Sequence, residues 1–305
     1  MNVLVYGSLN IDLVFSVGHI VRPGETISST ALTRSAGGKG ANQAAALAKA
    51  GVAVKLAGKV GQDGEFLLSL LESYGVDTSL VAVSDGATGQ AIIQLDENKQ
   101  NAIVLYGGGN REITEEEIEA VLAGFTAGDM IVLQNEISHT AEIIRQAKSR
   151  GMKVCLNPSP YDKFIEALPL DMVDMFFVNE IEGAALAGAL ADENFDIFIT
   201  VVLEKLTNRF PDAEIILTAG RDGAYYAFQE ERAHGAILNV PVVDTTGAGD
   251  TFTGYFLASR LRGYTAQQSL DTACRAASIA VSRFGAMEAV PAAAEVFGEG
   301  RKEKG

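Results

Sequence analysis

The sequence predicts an α/β fold built on a mostly parallel sheet covered by helices on both faces, with a second, smaller β-sheet attached. Three observations carry this. Short apolar β-rich runs alternate with helical stretches along most of the chain, the signature of β–α crossovers. Helices close on glycines, as at Gly51 and Gly75, where a left-handed residue ends the turn. Two regions break the alternation with extended, amphipathic segments and no helix between them.

Taken in order, Val3–Tyr6 ending at Gly7 reads as a buried first strand. Ala-rich 42–50 reads as a helix stopped by Gly51, 52–60 as a strand, and 63–74 as a helix with Phe66, Leu67, Leu70 and Leu71 on one face. Thr114 is a good N-cap for Glu115-Glu116-Glu117-Ile118, whose carboxylates suit the positive end of a helix. Strands follow at 129–134, 153–157, 174–178 and 214–218, with helices at 140–150 and from Asn179 to Ala187, and a turn at Gly220-Arg221-Asp222-Gly223. In open sheets of this kind ligands bind beyond the C-terminal strand ends, where Asn157, Asn179 and Thr218 fall. The irregular segments 11–17 and 26–34, with a hairpin formed by 88–95 and 101–106 about a turn at Glu97-Asn98-Lys99, predict the small sheet. It would expose an apolar face unless it closed over a ligand or a second subunit. Residues 192–209 have no functional reading.

The chain has 305 residues, 48% of them apolar, with 24 Lys+Arg against 39 Asp+Glu, a net charge of −15. That length buries a large core without disulfides or a structural metal. The charge balance argues against a nucleic-acid partner, because no basic run overrides it. Cys155 and Cys274 cannot form a Cys-rich zinc cage, and His19, His139 and His234 lack ligand spacing. No signal-peptide pattern and no run of about 18 apolar residues occurs. The expectation is a soluble, cytoplasmic protein without a membrane partner.

Four clusters carry chemistry. In Asp244-Thr245-Thr246-Gly247-Ala248-Gly249-Asp250, glycines run into a helical pattern at Phe252, Tyr255 and Phe256. Backbone N–H groups at such a helix start gather an anion, phosphate above all. Asp250 beside them suits a proton acceptor for an attacking hydroxyl; a plain glycine turn capped by Asp250 is the equal competitor on this motif alone. Gly37-Gly38-Lys39-Gly40-Ala41-Asn42-Gln43 is not a P-loop, since glycine follows Lys39. It reads as a loop offering Lys39 and Asn42 as donors to a polyol, or simply as a lead-in to a helix. Asn10 and Asp12 project the same way from an extended chain and suit vicinal hydroxyls, with a structural turn as the equal alternative. Gln134-Asn135-Glu136 and Asn179-Glu180-Ile181-Glu182 place carboxylates at strand ends, as polar-ligand or metal-water candidates or as solvated caps.

These motifs, in this order and with Pro23-Gly24-Glu25-Thr26 between the first two, resemble the ribokinase-like (PfkB) carbohydrate kinases from residue 2 to about 291. The resemblance implies a three-layer αβα sandwich with a β-sheet lid, spanning 1–298 with the lid at about 11–17, 26–36 and 88–106, and a disordered tail at 299–305. It implies phosphoryl transfer from ATP with Mg²⁺ to a sugar, D-ribose first, in a homodimer joined through the lids. Asp250 would be the catalytic base, and the N–H groups of Gly247, Ala248 and Gly249 the anion hole. Asn10, Asp12, Gly38, Lys39, Asn42 and Glu136 would hold the sugar. Asn179, Thr218, Gly220, Gly223 and Gly249 would line the nucleotide site, with Glu182 orienting magnesium through water. Asp244, Thr246, Ala280, Arg283 and Gly285 fall where the family holds an activating potassium ion. The chain departs from the family at Ala289, where a hydroxyl residue is usual near that ion, and at Cys274, where Asn or His often touches adenine. Gly107-Gly108-Gly109-Asn110 and Thr218-Ala219-Gly220 also differ from the usual pattern. The alternatives are a relative acting on fructose, 2-deoxyribose, a keto-deoxy sugar acid or a nucleoside, or a non-catalytic sugar- or nucleotide-responsive regulator. A nicotinamide-dependent oxidoreductase fits the alternation but lacks the glycine fingerprint after the first strand.

Overall fold

The computed structural model describes residues 1–190 and 194–298. The predicted tail at 299–305 and the start of the unassigned 192–209 stretch lie outside the described residues. In chain order the elements are β1 (Val3–Tyr6), β2 (Asn10–Ser16), β3 (Ala31–Gly37), α1 (Lys39–Lys49), β4 (Val54–Gly61), α2 (Glu65–Ser73) and β5 (Asp77–Ser84). Then come β6 (Gly89–Leu95), β7 (Asn101–Tyr106), α3 (Glu115–Leu122), β8 (Met130–Gln134), α4 (Thr140–Ser149), β9 (Lys153–Asn157), β10 (Met175–Asn179) and α5 (Glu180–Ala187). The rest of the chain forms α6 (Phe195–Arg209), β11 (Glu214–Thr218), β12 (Ala224–Phe228), β13 (Glu231–Gly235), α7 (Ala248–Leu261), α8 (Ala266–Val281) and α9 (Ala293–Phe297).

The main sheet has the order β13-β12-β11-β10-β9-β8-β1-β4-β5. From β11 to β5 every pairing is parallel, and β12 and β13 add an antiparallel edge. Alternation along β1 shows why helices cover both faces. Val3 and Val5 pack into one core with α1, α7 and α8, while Leu4 and Tyr6 point into a second with α3, α4 and α6. Strand order reverses between β1 and β8, and the crevice beyond their C-terminal ends is the place where such sheets bind ligands.

The small sheet has the order β3-β2-β6-β7, with β2 and β6 parallel at its centre. The expected hairpin is present as β6 and β7. The expected extended segment from Thr26 is shorter than predicted: β3 begins only at Ala31, opposite Ser16, where its partner strand ends. Residues before it turn instead, with Glu25 accepting from the Arg22 N–H at 3.0 Å and pairing with His19 at 2.9 Å. The first helix begins at Lys39, three residues ahead of the predicted start. Glycines argued for a loop there, but the Ala41 N–H bonds Ser8 O at 3.0 Å and anchors the helix start to the end of β1. Residues 195–209 form a helix capped by Asn194. Among the described residues no helix is long and apolar enough to cross a membrane.

Candidate active site

The N-termini of α1 and α7 meet at the C-terminal edge of the main sheet. Gly247 caps α7 in the left-handed region at φ 71°, a conformation that costs a residue with a Cβ roughly 1–2 kcal/mol. The Thr251 N–H closes the first turn on Gly247 O at 2.8 Å. The Ala248 amide turns to Thr245 O at 3.3 Å, so it is not among the free donors. The amides of Gly247, Gly249 and Asp250 have no partner among the described residues. They border a cleft of about 230 Å³ lined also by Lys39, Asn179, Glu182 and Thr218. Unsatisfied N–H groups at a helix start facing a cleft are able to receive an anion.

Asp250 is buried in this wall and accepts one hydrogen bond on each oxygen. Asn42 Nδ2 donates to Oδ2 at 3.0 Å and Gln43 Nε2 to Oδ1 at 2.9 Å. Both donors come from the first turn of α1, and close packing of α1 on α7 brings them there. A Cβ on Gly254 would lie 2.5 Å from Ala46 Cβ, so only glycine allows this approach. A carboxylate held by two amides and set beside free backbone donors can take a proton from a hydroxyl while phosphate charge gathers next to it.

On the other flank lie the predicted polyol contacts. Asn10 is held by Asn110, whose Nδ2 donates to Asn10 Oδ1 at 2.7 Å while its Oδ1 accepts from the Leu9 N–H at 3.0 Å. The Asp12 carboxyl has no hydrogen-bond partner among the described residues. Burial, reinforced by repulsion from Glu136 and Glu288, pushes its carboxyl up to about 7. A half-buried carboxylate without donors is a site waiting for hydroxyls. Glu136 accepts from the Lys39 N–H at 3.2 Å and from the Ser8 hydroxyl, tying β1, β8 and α1 together beside Gly38. Burial alone would lower the Lys39 ammonium, but the pull of Asp250, Glu136 and Glu182 carries it above the usual lysine range. Lys39 therefore stays charged in the cleft.

Asn179 and Glu182 turn out to form a capping box on α5. Asn179 Oδ1 accepts from the N–H groups of Ile181 at 2.9 Å and Glu182 at 2.8 Å, and Glu182 Oε2 accepts from the Asn179 N–H at 3.1 Å. The cap and the ligand readings of this motif are compatible, because Asn179 Nδ2 and Glu182 Oε1 remain without partners among the described residues. Thr218 ends β11 on the same edge, followed by the turn that holds Gly220 and Gly223. Cys274 is not in the cleft. Its thiol lies under β13 against Gly235 O at 3.3 Å, and burial pushes it up to about 12.

Asp244 anchors the approach to α7. Its Oδ1 accepts from the Thr246 N–H at 2.9 Å and hydroxyl at 2.7 Å, and its Oδ2 from the Gly285 N–H at 3.1 Å. Burial raises this carboxyl, but those donors outweigh it and leave it below the ordinary range. Ala280 O accepts from the Arg283 N–H at 2.9 Å, and the Arg283 guanidinium pairs with Glu295. Ala289 is buried nearby in sequence and brings no hydroxyl. The larger concavity of the molecule, about 890 Å³, lies at the opposite, N-terminal end of the strands. Arg260 there pairs with Glu214 at 3.2 Å, and none of the clusters above reaches it.

The structure thus places Lys39, Asn179, Glu182, Thr218 and Gly247–Asp250 around the cleft, with Asn42 bonded to Asp250, Glu136 to the Lys39 amide, Gly38 packed on Asn10 and Gly37 on Asp12. Sequence reasoning missed Asn110 as the support of Asn10, and Gln43 and Gln134 as the groups behind Asp250. Each stands in a segment it had singled out, but nothing in the spacing shows side chains about 100 positions apart meeting.

Comparison with known proteins shows the family to which this fold belongs. The profile of the pfkB family carbohydrate kinases matches residues 1–293. The ribokinase of Staphylococcus aureus is 30% identical over 310 residues, covering 96% of this chain and 98% of its own. The deoxyribokinase of Salmonella typhi is 31% identical, covering 95% of this chain and 96% of its own. Among solved structures, Cryptococcus neoformans ribokinase in complex with ADP superposes with a TM-score of 0.85 at 36% identity, over 97% of this chain and 98% of that one. Arabidopsis thaliana ribokinase complexed with ribose and ATP gives 0.85 at 30% identity, over 97% of each chain. The chain belongs to the PfkB family of carbohydrate kinases. It is a sugar kinase with the ribokinase-like α/β fold: a large, mostly parallel sheet and a separate small one.

Proposed function

We propose that the chain transfers the γ-phosphoryl group of ATP to the primary hydroxyl of D-ribose, giving D-ribose 5-phosphate and ADP. The observation that carries this reading is Asp250, a buried carboxylate beside unpartnered amides at the start of α7. Asp12 and Asn10 hold the sugar through its hydroxyls, with Gly38, Lys39, Asn42 and Glu136 completing the wall. Asp250 takes the proton of the attacking hydroxyl as its oxygen bonds to phosphorus and the bond to the ADP oxygen breaks. The amides of Gly247, Gly249 and Asp250, with Ala248 shaping the turn, receive the charge of the phosphoryl group in transit, and the Lys39 ammonium adds to them. Asn179, Thr218, Gly220 and Gly223 line the nucleotide side. Magnesium fits a single buried carboxylate, Glu182, whose Oε1 is unpartnered, with phosphate oxygens and water supplying the rest; bound there, it neutralises phosphate charge. A potassium ion fits Asp244, which is kept ionised, with oxygens of Thr246, Ala280, Arg283 and Gly285; bound there, it steadies the loop leading into α7.

The full ribokinase and deoxyribokinase relatives support a pentose, and a panel of ribose, 2-deoxyribose, fructose, keto-deoxy sugar acids and nucleosides with an ADP-release readout tests it. Ribose is expected to give the highest kcat/KM. A preference for another acceptor replaces the substrate, and no phosphorylation of any candidate refutes the activity. The small sheet leaves Leu32, Ile103, Val104, Leu105 and Tyr106 exposed, an apolar surface suited to a second copy of the chain. Sedimentation reads that homodimer. The cytoplasm, where ATP is available, is the proposed location.

A further inference from the structure

The proton acceptor of the proposed reaction does not stand alone. Behind Asp250, away from the cleft, lie two fully buried amides, Gln43 from α1 and Gln134 from the end of β8. Gln43 Nε2 donates to Asp250 Oδ1 at 2.9 Å and, at a longer 3.5 Å, to Asn157 Oδ1 at the end of β9, and Gln134 Nε2 donates to Gln43 Oε1 at 2.7 Å. Their direction is fixed by chemistry. Both oxygens of the Asp250 carboxylate accept, from Asn42 and from Gln43, so Gln43 presents its amino group to it. Its oxygen is thereby turned to Gln134, which must donate in its turn. The chain ends in an unsatisfied atom: Gln134 Oε1 is buried and has no partner. Leaving a buried acceptor unpaired is unfavourable, and a fold that served packing alone would fill both positions with apolar side chains.

We infer that Gln43 and Gln134 form a hydrogen-bond relay that fixes the rotamer of Asp250, acting as positioning residues for phosphoryl transfer. Neither lines the cleft, so their effect falls on the chemical step. The inference rests on the reading of Asp250 as the base.

The test compares Asp250→Asn, Gln43→Glu and Gln134→Met in the full chain, with ribose and ATP, across a pH series. Lys39, the cation that faces Asp250, is retained throughout. In Gln43→Glu a second carboxylate meets Asp250, and the two share a proton. Turnover is expected to fall by about 10²-fold, the effect of misplacing a reacting group by about an ångström, with both KM values within a few-fold of wild type. The acid limb of its kcat profile is expected to move to higher pH, which loss of packing alone would not do. Gln134→Met, which keeps Gln43 but frees its amide to rotate, is expected to lose about tenfold in kcat without the pH displacement; it carries the test if Gln43→Glu does not fold. Unchanged kcat and pH profile in these variants, with Asp250→Asn inactive, overturns the relay alone. Raised KM values at constant kcat also overturn it. Full turnover in Asp250→Asn overturns the base and the relay together.

Discussion

Replacing Asp12 by asparagine removes a carboxyl that the fold holds uncharged far above its ordinary range. The group moves from 3.8 to about 7, chiefly through burial, with repulsion from Glu136 and Glu288 adding to it. Between those values the folded chain binds a proton that the unfolded chain has released, so stability falls as pH rises. The contribution is complete below about pH 4 and is lost by the time pH passes 7. A shift of about three units, at 1.36 kcal/mol each, amounts to about 4 kcal/mol at pH 8. At pH 5 only the interval from 3.8 upward has been lost, about 1.6 kcal/mol by the same conversion. With an unfolding entropy of about 2.1 cal/mol/K per residue over 305 residues, 4 kcal/mol corresponds to about 6 °C. Asparagine does not titrate. Melting curves without sugar are therefore expected to show Asp12→Asn above wild type by about 2–3 °C at pH 5, widening to about 6 °C at pH 8. At pH 8, where the Asp12 carboxyl is ionised, ribose KM should rise about tenfold to a hundredfold in the same variant, since hydrogen bonds to a charged group contribute about 1.5–3 kcal/mol. A stability offset that stays constant or shrinks with rising pH refutes the argument.

Three further outcomes follow from the geometry. Asp250→Asn should lower kcat by about 10²–10⁴-fold while ATP binding by calorimetry stays within a few-fold, the range expected for loss of a general base. In Gly254→Ala the added methyl meets Ala46 across the helix pair, parting Asp250 from its donors; kcat should fall and the unfolding free energy drop by about 1–3 kcal/mol, measured by urea titration. Asn110→Ala frees Asn10 and leaves the Leu9 amide unpaired, so ribose KM should rise while ATP KM does not, as read from initial rates at fixed saturating co-substrate.

Much of the architecture was legible in the sequence, because β–α alternation and glycine stops are local signals. The strands at 3–6, 153–157 and 214–218 fall where their apolar runs predict. Misplaced boundaries have one cause. Thr26 looked extended but β3 waits for Ser16 as a partner, and Lys39-Gly40 looked like a loop but packs as a helix start on Ser8. In both cases tertiary pairing overrode local propensity. Family motifs also pointed to Asp250, Asp12 and Asn10 without showing what holds them.

Chain order, charge and local pattern by themselves determined the fold class and the glycine turn at Gly247–Gly249 with an acidic residue beside it. Only the tertiary structure decided that Asn42 and Gln43 grip Asp250, that Asn110 fixes Asn10, that Cys274 lies under β13 and that Ala248 turns its amide inward. The physical reason is range. Helix starts and strand alternation are set by neighbours within a few residues, whereas a buried carboxylate finds its donors wherever packing brings them, here from α1, some 207 positions away along the chain.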